Sequence, residues 1–251
     1  MLPLLTDTRI VAGRYIRQTL SSRLSLGIGM VQPLMFLVFF GPLLHDLPLG
    51  GDGDSWQTLV PGLLVQLGLF SSAFAGFGIM LEKHHGVIER MRVTPASRTA
   101  LLLGRLVRDV LQLLFQSALI VLAGLALGLR APLAGVLLGF VLVAVLAVAL
   151  ASLSYALAMR VSTPQEFAPV VNTVNLPAML LSGILLPMAL APGWLDVLSH
   201  FVPFRYLVDA VREVFAGHYA TGAVGLGALV TTGLALVSLA LGTRVFRTAG
   251  A

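Results

Sequence analysis

Glu82-Lys83-His84-His85-Gly86-Val87-Ile88-Glu89-Arg90-Met91-Arg92-Val93-Thr94-Pro95 is the most densely charged run in a very apolar chain. An uncharged run, Thr58 to Leu81, precedes it, and another, Val110 to Leu129, follows. A polar segment wedged between two membrane-length runs is a loop on one face of a bilayer. Its own pattern is helical. Leu81, His84, Ile88 and Met91 recur at three- and four-residue spacing, with Glu82, Lys83, Glu89 and Arg90 mostly to the other side. Pro95 ends that helix, because the residue before a proline is pushed out of the α region. Thr94 then caps a second helix with Pro95 at its first position. The expected product is a short helix across the mouth of two spans, joined by a fixed elbow to the next span. Such an element transmits a push.

Of 251 residues, 57% are hydrophobic and 11% charged. Globular chains carry roughly 25% charged residues, so this chain is solvated mainly by lipid. Without cysteine it has no disulfide framework, thiol catalysis or thiolate metal site. Lys83 is the sole lysine, and His84 follows it. A phosphate-binding P-loop needs Gly-Lys-Ser/Thr, so ATP hydrolysis by that route is excluded. The pI near 10.4 comes from arginines scattered among apolar runs. That distribution marks membrane orientation, and no nucleic-acid partner is expected. Residues 1–23 hold Arg9, Arg14, Arg17 and Arg23, with no continuous apolar core before Leu24, so they are not read as a signal peptide. Residues 6–22 instead form an amphipathic pattern, with Ala12, Tyr15, Ile16, Thr19 and Leu20 opposite Arg14, Arg17 and Gln18. A helix of that kind lies in the headgroup region.

The fold class is therefore an all-α integral membrane domain, one unit over 1–251. Six spans are expected at 24–44, 58–81, 110–129, 131–159, 167–186 and 220–243. Pro33 is a candidate kink, and Gly68, Ser72 and Gly76 form a ladder of small residues that lets another helix approach. With the N-terminus in the cytoplasm, thirteen basic residues fall on inner segments, and only Arg130, Arg205 and Arg212 fall outside. By the positive-inside rule both termini are cytoplasmic and the chain is a multi-pass protein of the plasma (inner) membrane.

The outer segment at 187–217 is cut by Pro187, Pro192 and Pro203 into pieces too short to cross. Phe204, Leu207, Val208, Val211 and Phe215 make an apolar stripe, with Arg205 and Asp209 at i,i+4. We read short helices at 193–201 and 204–216 that dip back into the outer leaflet. A plain external loop with a surface helix is the alternative.

Acidic residues at mid-span would signal ion coupling, and the spans hold none there. Asp109 and Arg108 stand at the inner end of the third span, where they pair or snorkel. Deeper polar residues are Gln66, Gln112, Gln116, Asn172 and Asn175, which as amides serve helix–helix hydrogen bonding or substrate contact. Gln66, Phe70, Phe74, Asn172, Asn175 and Met179 are the candidates for a substrate pathway. No metal site is expected, because the adjacent His84 and His85 point apart on a helix, and no residue is assigned a catalytic role.

The chain resembles the membrane subunits of type-2 ABC exporters, the family that includes daunorubicin-resistance permeases. The resemblance runs through Glu82-Lys83…Gly86…Glu89-Arg90…Thr94-Pro95 and Leu103-Gly104-Arg105. It continues through Ser182-Gly183-Ile184…Pro187…Pro192-Gly193-Trp194-Leu195 and through Pro203-Phe204-Arg205-Tyr206-Leu207-Val208-Asp209-Ala210-Val211-Arg212 to Gly217. His84-His85 departs from the more often charged pair at that place. The resemblance implies an interfacial N-terminal helix, six spans, two re-entrant outer helices and a dimer of permease copies, identical or not. It makes 82–95 a coupling helix seated on a separate ABC ATPase that binds ATP and Mg, with Glu82, Lys83, Gly86, Glu89, Arg90 and Pro95 as coupling residues. The chain itself then holds no cofactor and is no enzyme. The outer segment would be marked by Pro187, Trp194, Pro203, Phe204, Tyr206, Asp209 and Arg212. The cargo implied is a drug, a lipid or a lipid-linked molecule. An ion-coupled secondary transporter and a non-transporting membrane scaffold are the rival readings.

Overall fold

The computed structural model describes residues 13, 23–45, 55–84, 98–161, 163–184 and 188–248. Among them every regular element is helical. In chain order these are α1 (Arg23–His45), α2 (Ser55–Ala73), α3 (Ala75–His84), α4 (Arg98–Leu127), α5 (Leu133–Arg160) and α6 (Pro164–Leu181). A 3₁₀ turn at Met188–Leu190, α7 (Gly193–Ser199), α8 (Pro203–Phe215) and α9 (Gly222–Thr248) complete the order. The expected N-terminal helix at 6–22 lies outside the described residues, apart from Gly13.

Proline placement explains several helix starts. Pro132 in extended conformation precedes α5, and Val161, also extended, ends it after Arg160, a cation placed well at a helix C-terminus. Pro164 and Pro203 stand in the first turns of α6 and α8, where a missing N–H costs nothing. Pro33 and Pro42 lie inside α1 without ending it.

Four stretches are long and apolar enough to cross a membrane: Trp56–Leu81, Leu102–Leu127, Leu133–Arg160 and Gly222–Val245. They match the expected second, third, fourth and sixth spans, with corrections. The second span is two helices, α2 and α3, broken at Phe74. The third continues without interruption from Arg98, twelve residues before the expected start at Val110, and ends at Leu127 rather than Leu129. Charge marks where such a helix leaves the hydrocarbon, and backbone hydrogen bonding continues past that point. The helix at the expected fifth span begins earlier and stops at Leu181 rather than Leu186, because Gly183 takes a left-handed φ of 72° that only glycine adopts freely.

The break at Phe74 has a visible cause. Ser71, Ser72, Gly76 and Gly78 crowd around it, and Gly/Ser clusters are where helices kink. The Ser154 hydroxyl of α5 enters the gap, donating to the Ala73 carbonyl at 2.5 Å and accepting from the Gly76 N–H at 2.8 Å. Phe77 N–H, which would serve Ala73 in a regular helix, turns to Phe74 at 3.0 Å instead. A Cβ on Gly76 would overlap the Ser154 carbonyl, so the small-residue ladder does bring a neighbouring helix close, and that helix is α5.

α5 is the central element, in contact with α2, α3, α4, α6, α8 and α9. It runs through two separate hydrophobic clusters. The larger is formed by α2, the far half of α4, the first half of α5, and α8, with Leu63, Leu113, Val143 and Phe215 fully buried. The smaller holds Ile79 and Met80 of α3, Leu102 and Leu106 of α4, Ala151, Tyr155 and Ala158 of α5, and Phe167 and Val171 of α6. We name the end of the smaller cluster, which adjoins residues 85–97 and 161–163, the inner end, and the opposite one the outer end.

Candidate functional site

Three places along this axis hold polar chemistry that an apolar bundle needs a reason to keep. At the inner end Asp109, almost wholly buried, receives the Tyr155 hydroxyl on one oxygen and Arg108 Nη1 on the other at 2.8 Å. A buried carboxylate is tolerable only when both oxygens are served. The Arg108–Asp109 pairing expected from sequence is present, and the cross-helix partner Tyr155 was not foreseen. A lone acid near the end of an apolar span calls for a second donor on a neighbour, and Tyr155 is the one tyrosine in the α5 run.

Near the middle, beside the break at Phe74, a groove of ≈290 Å³ opens between α5 and α6. Its walls include Ala73, Leu150, Ser154, Leu157, Val174, Asn175 and, from α8, Phe204. Of the expected pathway residues, Asn175 lines it, and its Nδ2 is buried without a hydrogen-bond partner in the structure. Gln66 is buried in α2 with Oε1 likewise unpartnered. Phe70, Phe74 and Asn172 are half-buried, and Phe74 packs on the inner cluster. Met179 packs on the outer one. The six are therefore distributed over α2, the break and α6, and of them only Asn175 lines this groove.

At the outer end the apolar face of α8 is enclosed. Leu207, Val208, Val211, Val214 and Phe215 are fully buried, and the helix packs against α2, α5 and α9. Close approach is possible because Gly135 of α5 and Gly227 of α9 face its backbone; a Cβ at either would overlap a backbone atom. Phe204, counted with that stripe, is only half-buried. Arg212 joins three elements: Nη2 donates to the carbonyls of Gly183 at 2.8 Å and Ile184 at 3.1 Å, and Nε to that of Thr58 at 3.3 Å. The Gly183 and Ile184 carbonyls follow the C-terminus of α6, where carbonyls lack helical partners and a cation meets the dipole favourably, while the Thr58 carbonyl lies in the first turn of α2. Burial lowers the Arg212 guanidinium to about 10, opposed by Asp209, so it stays charged at neutral pH.

Arg205 ties α8 to α7. Its Nη1 meets an Asp196 carboxylate oxygen at 2.7 Å and the Asp196 carbonyl at 3.0 Å, and it also donates to Ser199 Oγ. The expected Arg205–Asp209 pair is a longer contact of 3.9 Å. Asp196 is thus the principal partner, because α7 folds back beside the first turn of α8. Tyr206 adds a bond from its hydroxyl to the His200 carbonyl at 2.8 Å. Trp194, by contrast, is 67% exposed, and with Val197, Leu198 and Phe201 it leaves an apolar surface on and just after α7. Pro203 opens α8, and Pro187 lies outside the described residues.

The expected coupling residues are mostly beyond reach. Glu82 and Lys83 belong to the last turn of α3. Gly86, Glu89, Arg90 and Pro95 lie outside the described residues.

Comparison with known proteins supplies what the geometry alone does not. The chain is 28% identical over 220 residues to the daunorubicin resistance ABC transporter permease protein DrrB1 of Streptomyces coeruleorubidus, covering 87% of this chain and 78% of that one. It is 26% identical over 193 residues to the putative transport permease ycf38 of Cyanophora paradoxa, covering 75% and 67%. It is 25% identical over 222 residues to the probable doxorubicin resistance ABC transporter permease protein DrrC of Mycobacterium tuberculosis, covering 86% and 80%. A family model described as ABC-2 type transporter matches residues 6–216, a stretch that takes in α1 to α8 and all three polar places. The chain belongs to the ABC-2 type transporter family and is a membrane permease of that type.

Proposed function

We propose that the chain is the membrane subunit of an ATP-driven exporter whose ATP is hydrolysed by a separate subunit. Membership of the ABC-2 family carries this reading, together with the lack of any Gly-Lys-Ser/Thr sequence in the chain. The charged stretch 82–95 is the docking element for the ATPase, which binds ATP and Mg. α1 and α6 are the two remaining spans. At 23 and 18 residues they measure about 34 and 27 Å, near the ~30 Å hydrocarbon thickness. With six spans, the thirteen-to-three division of basic residues puts both termini in the cytoplasm. The outer segment α7–α8 sits in the outer leaflet, with the exposed Trp194 and Phe201 meeting lipid or a second copy.

The groove of ≈290 Å³ is at the small end of ligand pockets, which run roughly 300–1,000 Å³. That size favours a pathway completed by a second permease copy. The cargo is an amphipathic molecule: drug-like, lipid or lipid-linked. ATP binding draws two ATPases together, moves the inner loops and shifts the pair toward an outward-open packing.

The decisive experiment targets residues 86 and 89. Gly86→Trp blocks seating sterically, and Glu89→Lys reverses a charge at the docking surface, where losing a buried pair costs about 2–5 kcal/mol. Expression should stay near wild type, while co-purification of the ATPase and stimulated ATP turnover in reconstituted membranes are both lost. Normal coupled turnover in both variants would reduce 82–95 to a solvated connection and remove the main support for this reading.

A further inference from the structure

Two hydrophobic clusters in one bundle define a seam, and the seam coincides with the break at Phe74. On α4 it falls between Leu106 and Leu113, and on α5 between Ala147 and Ala151. The smaller cluster is built only from segments that adjoin residues 85–97 or 161–163. α3 belongs to it entirely, through Ile79, Met80 and the tilted Phe77–Phe167 ring pair at 6.4 Å. α2 belongs to the larger cluster up to Leu69, and only its last residue, Ala73, packs on the smaller one. The α2–α3 segment is therefore the one apolar stretch of the four whose helix is interrupted where it passes from one core to the other.

We propose that this break is a pivot and that Ser154 is its positioning residue, passing movement of the inner loop to the outer core. A backbone gap inside a membrane needs its N–H and C=O groups satisfied, and hydroxyl side chains are one of the few ways to do it. One hydroxyl here serves both lips of the gap, at Ala73 and Gly76. Backbone ladder bonds fix an angle. Here the ladder is interrupted between Ala73 and Phe77, and one side-chain hydroxyl stands in for it. Space for that movement exists on one side, since the groove borders both Ala73 and Ser154. The remaining side is closed, because Gly76 is in contact with the α5 backbone and acts as the fulcrum. The coupling role rests on the transport reading above, whereas the pivot itself does not.

The test uses the cysteine-free background. Spin labels on Leu81→Cys, exposed on α3, and Leu133→Cys, exposed at the outer end of α5, report the distance across the break in lipid nanodiscs. A control pair, Leu122→Cys with Leu133→Cys, lies wholly in the outer part. Ser154→Ala should shift or broaden the first distance distribution and leave the control unchanged, while Ser154→Thr keeps the wild-type distribution. An unchanged Ser154→Ala distribution, or Ser154→Thr behaving as Ser154→Ala, overturns the pivot. In complex with the ATPase, Ser154→Ala should hydrolyse ATP at the wild-type rate and move roughly two- to thirtyfold less cargo per ATP, the range for residues that carry coupling between sites. Wild-type cargo per ATP in Ser154→Ala overturns the coupling role. Should the wild-type complex move nothing, the transport reading fails and the label distances alone decide the pivot.

Discussion

Asp109 shows how one residue reshapes its surroundings in a medium that offers no water. Its carboxylate is buried against α5, so its stability contribution depends on the Tyr155 hydroxyl and Arg108 together. Removing one donor from a buried acceptor costs about 1–3 kcal/mol, while removing both partners is nearly neutral. Tyr155→Phe should therefore destabilise the purified chain by about that amount, read as a loss of thermal stability. In an Asp109→Ala background, which removes the acceptor, the same change should cost clearly less, as a double-mutant cycle requires of groups in contact. Equal losses in both backgrounds would show that the hydroxyl acts through packing alone. The neighbouring Ser154 works by the same logic on backbone groups, which makes two adjacent polar residues of α5 answerable for two different helices.

At the scale of elements, α8 and the α2–α3 pair behave oppositely. α8 is over-determined: an apolar face with six fully buried side chains, glycine-lined neighbours, and arginines at both ends of the helix. In the structure the stripe, Phe204 apart, packs against α2, α5 and α9. A charge at Leu207 must then be desolvated inside the protein, whereas one at the half-buried Phe204 has a route to the groove. Leu207→Asp should abolish recovery of folded chain, a cost above about 4 kcal/mol. Phe204→Asp should fold, dock its ATPase and transport less. Size-exclusion profiles of the two variants check the first half of this contrast, and reconstituted transport the second. Comparable folding yields for both would mean that α8 is less enclosed than its contacts indicate. The α2–α3 pair, by contrast, is interrupted at Phe74, where the Ser154 hydroxyl supplements the backbone bonds that remain. Rigidity belongs to the outer end and adjustability to the seam.

For the whole molecule, the distribution of arginine is the feature with the widest consequence. Fifteen arginines and one lysine divide thirteen to three between the two sides if six spans alternate. Arg98, the first residue of α4, should then face the cytoplasm, and Asp52 the exterior. With no native cysteine to mask, Arg98→Cys and Asp52→Cys can each be labelled with an impermeant thiol reagent in intact cells. Labelling is expected at position 52 and not at 98. The reverse pattern would invert the topology and place 82–95 where no cytoplasmic ATPase could reach it.

The helical class, four of the membrane-length apolar stretches, the apolar stripe of α8 and the Arg108–Asp109 pair were all readable in the chain, since each depends on neighbours within a few residues or on transfer of side chains to lipid. The charged stretch 82–95 also drew attention by composition alone, though its structure lies outside the described residues. Long-range pairings were not readable. Tyr155 finds Asp109 across 46 positions, Ser154 finds Ala73 across 81, and Arg212 finds Thr58 across 154. Each of these bonds exists because a low-dielectric interior makes an unpaired polar group costly, a demand that every buried polar residue announces. Which partner answers it is set by how the helices cross, and that was decided only when α5 took its place at the centre with Gly76 against its backbone.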